Sequence, residues 1–278
     1  MNVFLTGATG YIGSSVLSAL VSAGHTVTAL VRDEAKARGA GATLVVGSID
    51  DRELVRRLAA GADAVIATAS PGDATSETVE TAFAEAVLEG LRPGATFVRT
   101  GGIWVHGSGA AITEDTPRDA PGLVAWREEL DTRALAAEGV RSVLIEPGIV
   151  YGRGTGIIGV VVSSARDGSL VGPGTQHWTT VHVDDLAELY VAALTQGGGG
   201  VYLGVSGHNP TVRELGEAVN SQAMPEEPAA LVARLGAFGA ALLLDQQATG
   251  EKARRELGWK PSRPSVLEEI ASGGYDPA

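Results

Sequence analysis

The chain has 278 residues, 44% of them apolar and 19% charged, with a formal net charge of -12 at pH 7. This is a globular composition, large enough for one big core or two unequal ones. The acidic balance, with no basic run, disfavours nucleic acid and anionic membrane as partners, since both are held by clustered lysine and arginine. There is no cysteine, so disulfides and thiolate metal sites are excluded and a reducing compartment suits the chain.

The first apolar run, Asn2 to Thr6, passes at once into a glycine loop. It leaves no charged segment, long apolar stretch and cleavage site for export, so a cytoplasmic protein is expected. Short β-rich runs then alternate with helical patterns. The order is NVFLT, a helix over about Tyr11–Ala23, HTVTALV, a short helix, TLVVG, a helix near Leu54, and ADAVIATA. Two more strands follow, ATFVRT and RSVLIEP, with the amphipathic stretch GLVAWREELDTRAL (122–135) between them. This rhythm predicts an α/β fold, a Rossmann-like doubly wound parallel sheet with crossover helices.

The expected organisation is a dinucleotide-binding domain over 1–150, also receiving about 180–202, and a small, mostly substrate-binding C-terminal region over 151–278. Glycine-punctuated loops dominate the later part, yet Thr211 with Glu214 and Ser265 with Glu268 fit capping boxes at two helix starts. The stretch Leu231 to Leu244 is interrupted by Arg234 and two glycines. It falls short of the roughly 20 residues a membrane span needs.

LTGATGYIG closes the first strand and opens the first helix, with glycines at 7, 10 and 13. Gly7 permits the tight turn, Gly10 lets the backbone approach a pyrophosphate, and Gly13 lets helix and strand pack closely while the helix amides face the anion. Thr9, Tyr11 and Ile12 belong to the same cradle.

With Thr6 ahead of it, this spacing resembles the short-chain dehydrogenase/reductase superfamily, specifically its extended or atypical, epimerase-like branch. VIATAS (65–70), WVHG (104–107), IEPGIVYGRG, TVHVDDLA and KARRELGWKP resemble further segments of that branch, so the likeness spans nearly the whole chain. It implies nucleotide contacts at Ser48, Ile49, Ala67, Ala69 and Pro147. The second strand ends in Val31, where an acid would bind the ribose hydroxyls of NAD; Arg32 comes next and offers a planar guanidinium to a 2′-phosphate. NADP(H) is therefore expected over NAD(H), with Asp33 as an objection and an ordinary surface arginine as the plain alternative.

In the resembled family a Ser or Thr orients the substrate carbonyl, a Tyr moves the proton, and a Lys four residues later binds the nicotinamide ribose. Here no Tyr lies between Tyr11 and Tyr151, and no Lys between Lys36 and Lys252. The expected register puts Leu123 at the tyrosine position, Arg127 at the lysine position with Asp131 one turn on, and Gly101 or Gly102 at the serine position. Thr100 is then the nearest hydroxyl. Arg127 can supply a fixed positive charge but no proton; the bland reading is a salt bridge to Asp131. His106 and Tyr151 are the replacement candidates for the acid, against packed side chains as the alternative. Glu128 and Glu129 fit a solvated helix face.

Trp104, Trp126 and Trp178, with His177, stand where an apolar substrate pocket is expected, although core packing is the commoner role of any single tryptophan. His177 and Trp178 replace the basic residue that nucleotide-sugar epimerases carry there. Asp184 is expected to cap the following helix and His182 to brace the loop. No metal-binding spacing occurs, and no nucleophile elbow marks a hydrolase.

The expected activity is reduction of a small, mostly apolar molecule at a C=N, C=O or conjugated C=C bond, at a non-standard site. The alternatives are a non-redox isomerase, lyase or cyclase on the same scaffold and a non-catalytic NADP(H) sensor. A homodimer through sheet-flanking helices is left open.

Overall fold

In the computed structural model, which describes residues 1–276, the alternating segments form the expected parallel sheet. The strands are β1 (Asn2–Thr6), β2 (Thr26–Val31), β3 (Thr43–Val46), β4 (Ala64–Ala67), β5 (Thr96–Thr100), β6 (Gly109–Ile112), β7 (Arg141–Pro147), β8 (Ile149–Tyr151), β9 (Thr180–His182), β10 (Gly200–Gly204) and β11 (Gln246–Ala248). The helices are α1 (Tyr11–Ser22), α2 (Arg52–Ala60), α3 (Ser76–Gly90), α4 (Arg127–Leu135), α5 (Ile158–Arg166), α6 (Val183–Thr195), α7 (Val212–Glu217), α8 (Pro228–Leu242), α9 (Glu251–Leu257) and α10 (Val266–Ala271). Seven strands pair in the order β10-β7-β5-β4-β1-β2-β3, every neighbour parallel. The strand order reverses between β1 and β4, and ligands of such sheets bind in the crevice outside the carboxyl ends at that switch.

Because strand side chains alternate faces, each strand feeds two cores. Val3, Leu5, Val98 and Ile145 join Val16, Leu20, Leu186 and Leu189 of α1 and α6 on one face. Phe4, Val65 and Phe97 join Val55, Phe83 and Leu130 of α2, α3 and α4 on the other. A third cluster, including Tyr151, Val161, Trp178, Leu231 and Val266, binds the later segments together beyond the strand ends.

Two local expectations are corrected. The helix expected over 122–135 begins only at Arg127; residues 122–126 form turns, because Gly122 and the preceding Pro121 delay the helical run. The cap of α6 is His182, whose Nδ1 accepts the Asp184 amide at 3.1 Å, so Asp184 is freed to pair with Arg153 at 2.5 Å. Both capping boxes form as the spacing predicts.

Candidate functional site

The glycine loop is built by subtraction of side chains. Gly7 has φ +77°, and a Cβ on Gly13 would stand 2.0 Å from the Gly7 carbonyl oxygen, so only glycine lets α1 pack this close to β1. Gly10 is the N-cap and has no side chain to cap the leading amides, and no acid lies in the first turn. Those amides are left for an anion, with the helix dipole behind them. The cradle thus fits a nucleotide pyrophosphate. Thr9 is exposed beside it, Ile12 reaches the neighbouring cleft, and the Tyr11 hydroxyl donates to the Gly152 carbonyl at 2.9 Å, tying the loop to the segment after β8.

Around the cradle, Thr68 Oγ1 donates to the Thr6 carbonyl at 2.6 Å, fixing the end of β4 against β1. Ala67 and Ala69 line a small hollow there with Ser70, Thr100 and Gly101. Ser48 and Ile49 follow β3 and are half-buried. Arg32 is exposed just past β2 and finds no acceptor among the described residues, whereas Asp33 is occupied in accepting the Ala35 amide at 2.9 Å.

Beside the cradle lies a cleft of about 250 Å³. Ile12, Gly101–Trp104, Val124, Arg127 and Pro147–Val150 are among its walls. Trp104, the one predicted pocket tryptophan that lines it, also meets Phe238 edge to face at 6.0 Å. The other expected pocket residues lie elsewhere. Trp126 packs under Arg127, whose Cζ sits 4.5 Å from the ring centroid. Trp178 is buried and donates to the Leu242 carbonyl, and His177 pairs with Asp245 near the surface at 2.9 Å.

Among the proposed acids, Tyr151 is buried and donates to the Pro264 carbonyl at 2.7 Å; burial pushes its pKa well above the tyrosine range. Thr100 also lines the cleft, but its hydroxyl donates to the Ala67 carbonyl at 2.6 Å and accepts from Tyr190 of α6 at 2.5 Å, so it is engaged on both sides. His106 is 4% exposed, and both ring nitrogens are engaged, Nδ1 with the Thr116 carbonyl at 3.0 Å and Nε2 with Glu146 at 2.8 Å. It lines no wall of the cleft. Of the four candidates Arg127 and Thr100 line that space, and Arg127 is the one whose functional group keeps donors to spare.

Arg127 opens α4 and is held end-on by Glu80 of α3, Nη1 and Nη2 donating at 3.1 and 3.0 Å. Glu80 also accepts from Ser70 at 2.6 Å and meets Arg99 at 3.5 Å. From Arg99 the alternation of charge continues under α4: Asp131 at 3.4 Å, Arg118 at 2.9 Å, then Glu146 at 3.0 Å and His106. Burial lowers the Arg99 pKa and the adjacent Asp131 and Glu80 carboxylates oppose that shift. The bland reading of Arg127, an ion pair with Asp131, is replaced by this longer chain. Glu80, Arg99, Arg118 and Glu146 were not singled out from sequence. Two of them left a signal: a charge inside each of the otherwise apolar strands ATFVRT and RSVLIEP, which must be paired if the strand is buried.

The NAD(P)H-binding family matches residues 7–197. The chain belongs to that family. An uncharacterized protein of Saccharomyces cerevisiae is 30% identical over 97% of this chain and 98% of its own. A Streptomyces protein, the 3-diazoavenalumate denitrifying reductase, is 29% identical over 95% and 97%. Among solved structures, the human epimerase family protein SDR39U1 with NADPH superimposes with a TM-score of 0.76 at 25% identity, covering 98% of this chain and 99% of that one. The epimerase-like short-chain dehydrogenase/reductase character read from the motifs is thereby shown, as is the Rossmann-like sheet. Among the described residues no helix is long and apolar enough to cross a membrane.

Proposed function

We propose that this protein is an NADP(H)-dependent reductase of a small, mostly apolar, unsaturated molecule. The observation that carries this reading is the cleft itself: it adjoins the pyrophosphate cradle at Ile12, it is walled mainly by aliphatic side chains and Trp104, and its one charged side chain is Arg127. Reduced nicotinamide, when bound, supplies a hydride. The glycine loop would hold the pyrophosphate, Ala67 and Ala69 would flank the adenosine half, and Pro147 would stand at the nicotinamide end. Arg32, exposed and with no acceptor among the described residues, would meet a 2′-phosphate, and Asp33 is engaged by the Ala35 amide in its own turn.

The reductase name of the Streptomyces relative and the NADPH in the human structure agree with this reading. In our reading residues 1–150 with about 180–202 form the nucleotide-binding part, and the remainder of 151–278 closes the substrate side. The direct test is titration of NADPH and NADH into the protein, followed by absorbance at the nicotinamide band with a panel of unsaturated carbonyl compounds and imines. Tight NADPH binding with steady oxidation is expected. Product formation with no change in nicotinamide would favour a non-redox enzyme, and binding without turnover a sensor.

A further inference from the structure

The hydrogen bonds of Arg127 leave a remainder. A guanidinium has five N–H donors. Nη1 gives one to Glu80 and one, at 3.4 Å, to the Thr100 carbonyl; Nη2 gives one to Glu80. Among the described residues the Nε–H and the second Nη2–H have no acceptor, and these two lie side by side. The side chain is 15% exposed and forms part of the cleft wall. Trp126 covers one face of the guanidinium and Glu80 fixes its far end, so the free pair has little freedom to swing.

A second count concerns charge. The chain from Arg127 to His106 holds three guanidiniums and three carboxylates. The Thr116 carbonyl can only accept, so His106 Nδ1 carries a hydrogen. At 2.8 Å, Nε2 and the Glu146 oxygen cannot face each other as two lone pairs, so one further proton sits between them. The whole chain therefore carries one net positive charge. Its most exposed members are the guanidiniums of Arg127 and Arg118, and of these Arg127 meets the cleft.

We infer that Arg127 is an oxyanion-stabilising residue, and that the cleft selects conjugated carbonyl compounds, planar apolar enones or enals, over isolated ketones and over cationic imines; this rests on the reductase reading above. In an enone, the hydride that reduced nicotinamide would give up, becoming oxidised as its own C–H bond breaks, forms a C–H bond at the β-carbon, and the C=C electron pair shifts to give an enolate with its charge on oxygen. A water proton then forms the α C–H bond as the carbonyl returns, and hydroxide leaves to bulk solvent. On oxygen an enolate is a much weaker base than an alkoxide, because its charge is delocalised onto the α-carbon, so a fixed cation alone can hold that oxygen. The alkoxide from an isolated ketone is far more basic and needs a proton donor, and no Tyr, His, Lys, Asp or Glu lines this cleft. A cationic imine would meet Arg127 as a like charge, and the Glu80 carboxylate behind it is already engaged by Ser70, Arg99 and Arg127.

The test uses 4-nitrophenol as a planar oxyanion probe, with and without NADP, and reads the phenolate absorption band across pH. Bound probe is expected to ionise about tenfold more readily than free probe, and Arg127→Gln to abolish that shift. Arg127→Lys, which keeps charge but loses the paired donors, should retain part of it. If Arg127→Gln, which leaves Glu80 with Arg99 as its one cationic partner, fails to fold, the double variant Arg127→Gln with Glu80→Gln removes both members of the pair, keeps the net charge of the chain and is read in its place. With nucleotide loaded, kcat/KM for an enone should exceed that for the saturated ketone of the same skeleton by at least about 100-fold. A probe that fails to bind, binds without a shift, or shifts equally in the variant overturns the inference. So does an Arg127 variant that loses only NADPH affinity, which would make the free donors ribose ligands. Failure of NADPH to bind or turn over with any substrate, with the phenolate shift intact, would instead strike the reductase reading alone.

Discussion

The nucleotide cradle and the charge chain beneath α4 meet at the same crevice but are made in opposite ways. The cradle consists of backbone, shaped by three glycines that remove side chains and leave the leading amides of α1 without a side-chain cap. The chain consists of side chains drawn from α3, β5, the segment before α4, α4 itself and β7, with Glu80 and Asp131 each held between two guanidiniums and Glu146 between Arg118 and His106. A backbone site can stand empty without cost to the fold. A buried ionic chain cannot lose a member without leaving a charge unpaired. The contrast implies that mutations in the two regions should separate cleanly, those in the cradle acting on nucleotide and those in the chain acting on stability and on Arg127.

The largest effect is expected at Asp131, which is 0% exposed and sits between Arg99 and Arg118. Arg118 donates a good hydrogen bond at 2.9 Å, while the Asp131 oxygen facing Arg99 has no hydrogen-bond partner, so that contact is ionic only. Asp131→Ala should cost about 3–5 kcal/mol of stability in chemical denaturation. NADPH affinity of the folded fraction should be nearly unchanged. A loss below about 1 kcal/mol would show that the chain is not one coupled unit.

Gly13→Ala attacks the other region. The added Cβ must push α1 away from the Gly7 carbonyl, at about 1–3 kcal/mol for an overpacked contact, and should weaken NADPH binding by more than about tenfold. The phenolate shift at Arg127 should survive. If thermal melts and titrations show both readouts falling together, the two regions are not separable.

The same difference explains what could be read in the sequence. The cradle was legible because its requirements are local: Gly7, Gly10 and Gly13 lie within one turn and its helix, and β1 and RSVLIEP were bounded as observed. The chain was not, because Glu80 meets Arg127 across 47 residues and Arg118 meets Glu146 across 28. Neither spacing follows a helix or strand period. Arg127 was placed at the cleft by its register on the family pattern, but its partner could not be named. His106 and Tyr151 were chosen as titrating groups near strand ends, and sequence position alone gave no sign that β7, the Thr116 loop and Pro264 would occupy their polar atoms.

A smaller effect is expected at Arg32. An exposed guanidinium with no protein partner contributes little to the fold, so Arg32→Ala should leave the melting temperature in place. It should weaken NADPH about tenfold, the scale of one charge-assisted hydrogen bond, and leave NADH unaffected. Equal losses for both nucleotides would mean that Arg32 does not meet the 2′-phosphate.

The smallest structural change, and the one that bears most directly on the chemistry, is Gly102→Ser. The serine position of the resembled family falls on Gly101 or Gly102, and the two differ. A Cβ on Gly101 would stand 3.1 Å from both Leu144 and Glu146, against β7 and the end of the charge chain, whereas one on Gly102 meets nothing within 4 Å. Gly102 has an extended backbone at φ 178° and lines the cleft. Serine there should change stability by no more than about 0.5 kcal/mol while adding a hydroxyl at the wall of the cleft that Arg127 also lines. A hydroxyl donates to an alkoxide as it forms, so turnover of isolated ketones should rise relative to enones, by about tenfold if the new donor is well aimed. Paired kcat/KM measurements on an enone and its saturated ketone decide the matter. A ratio that narrows means the scarcity of donors in this cleft restricts the substrate; an unchanged ratio means shape restricts it, with Trp104 and the aliphatic walls as the determinants.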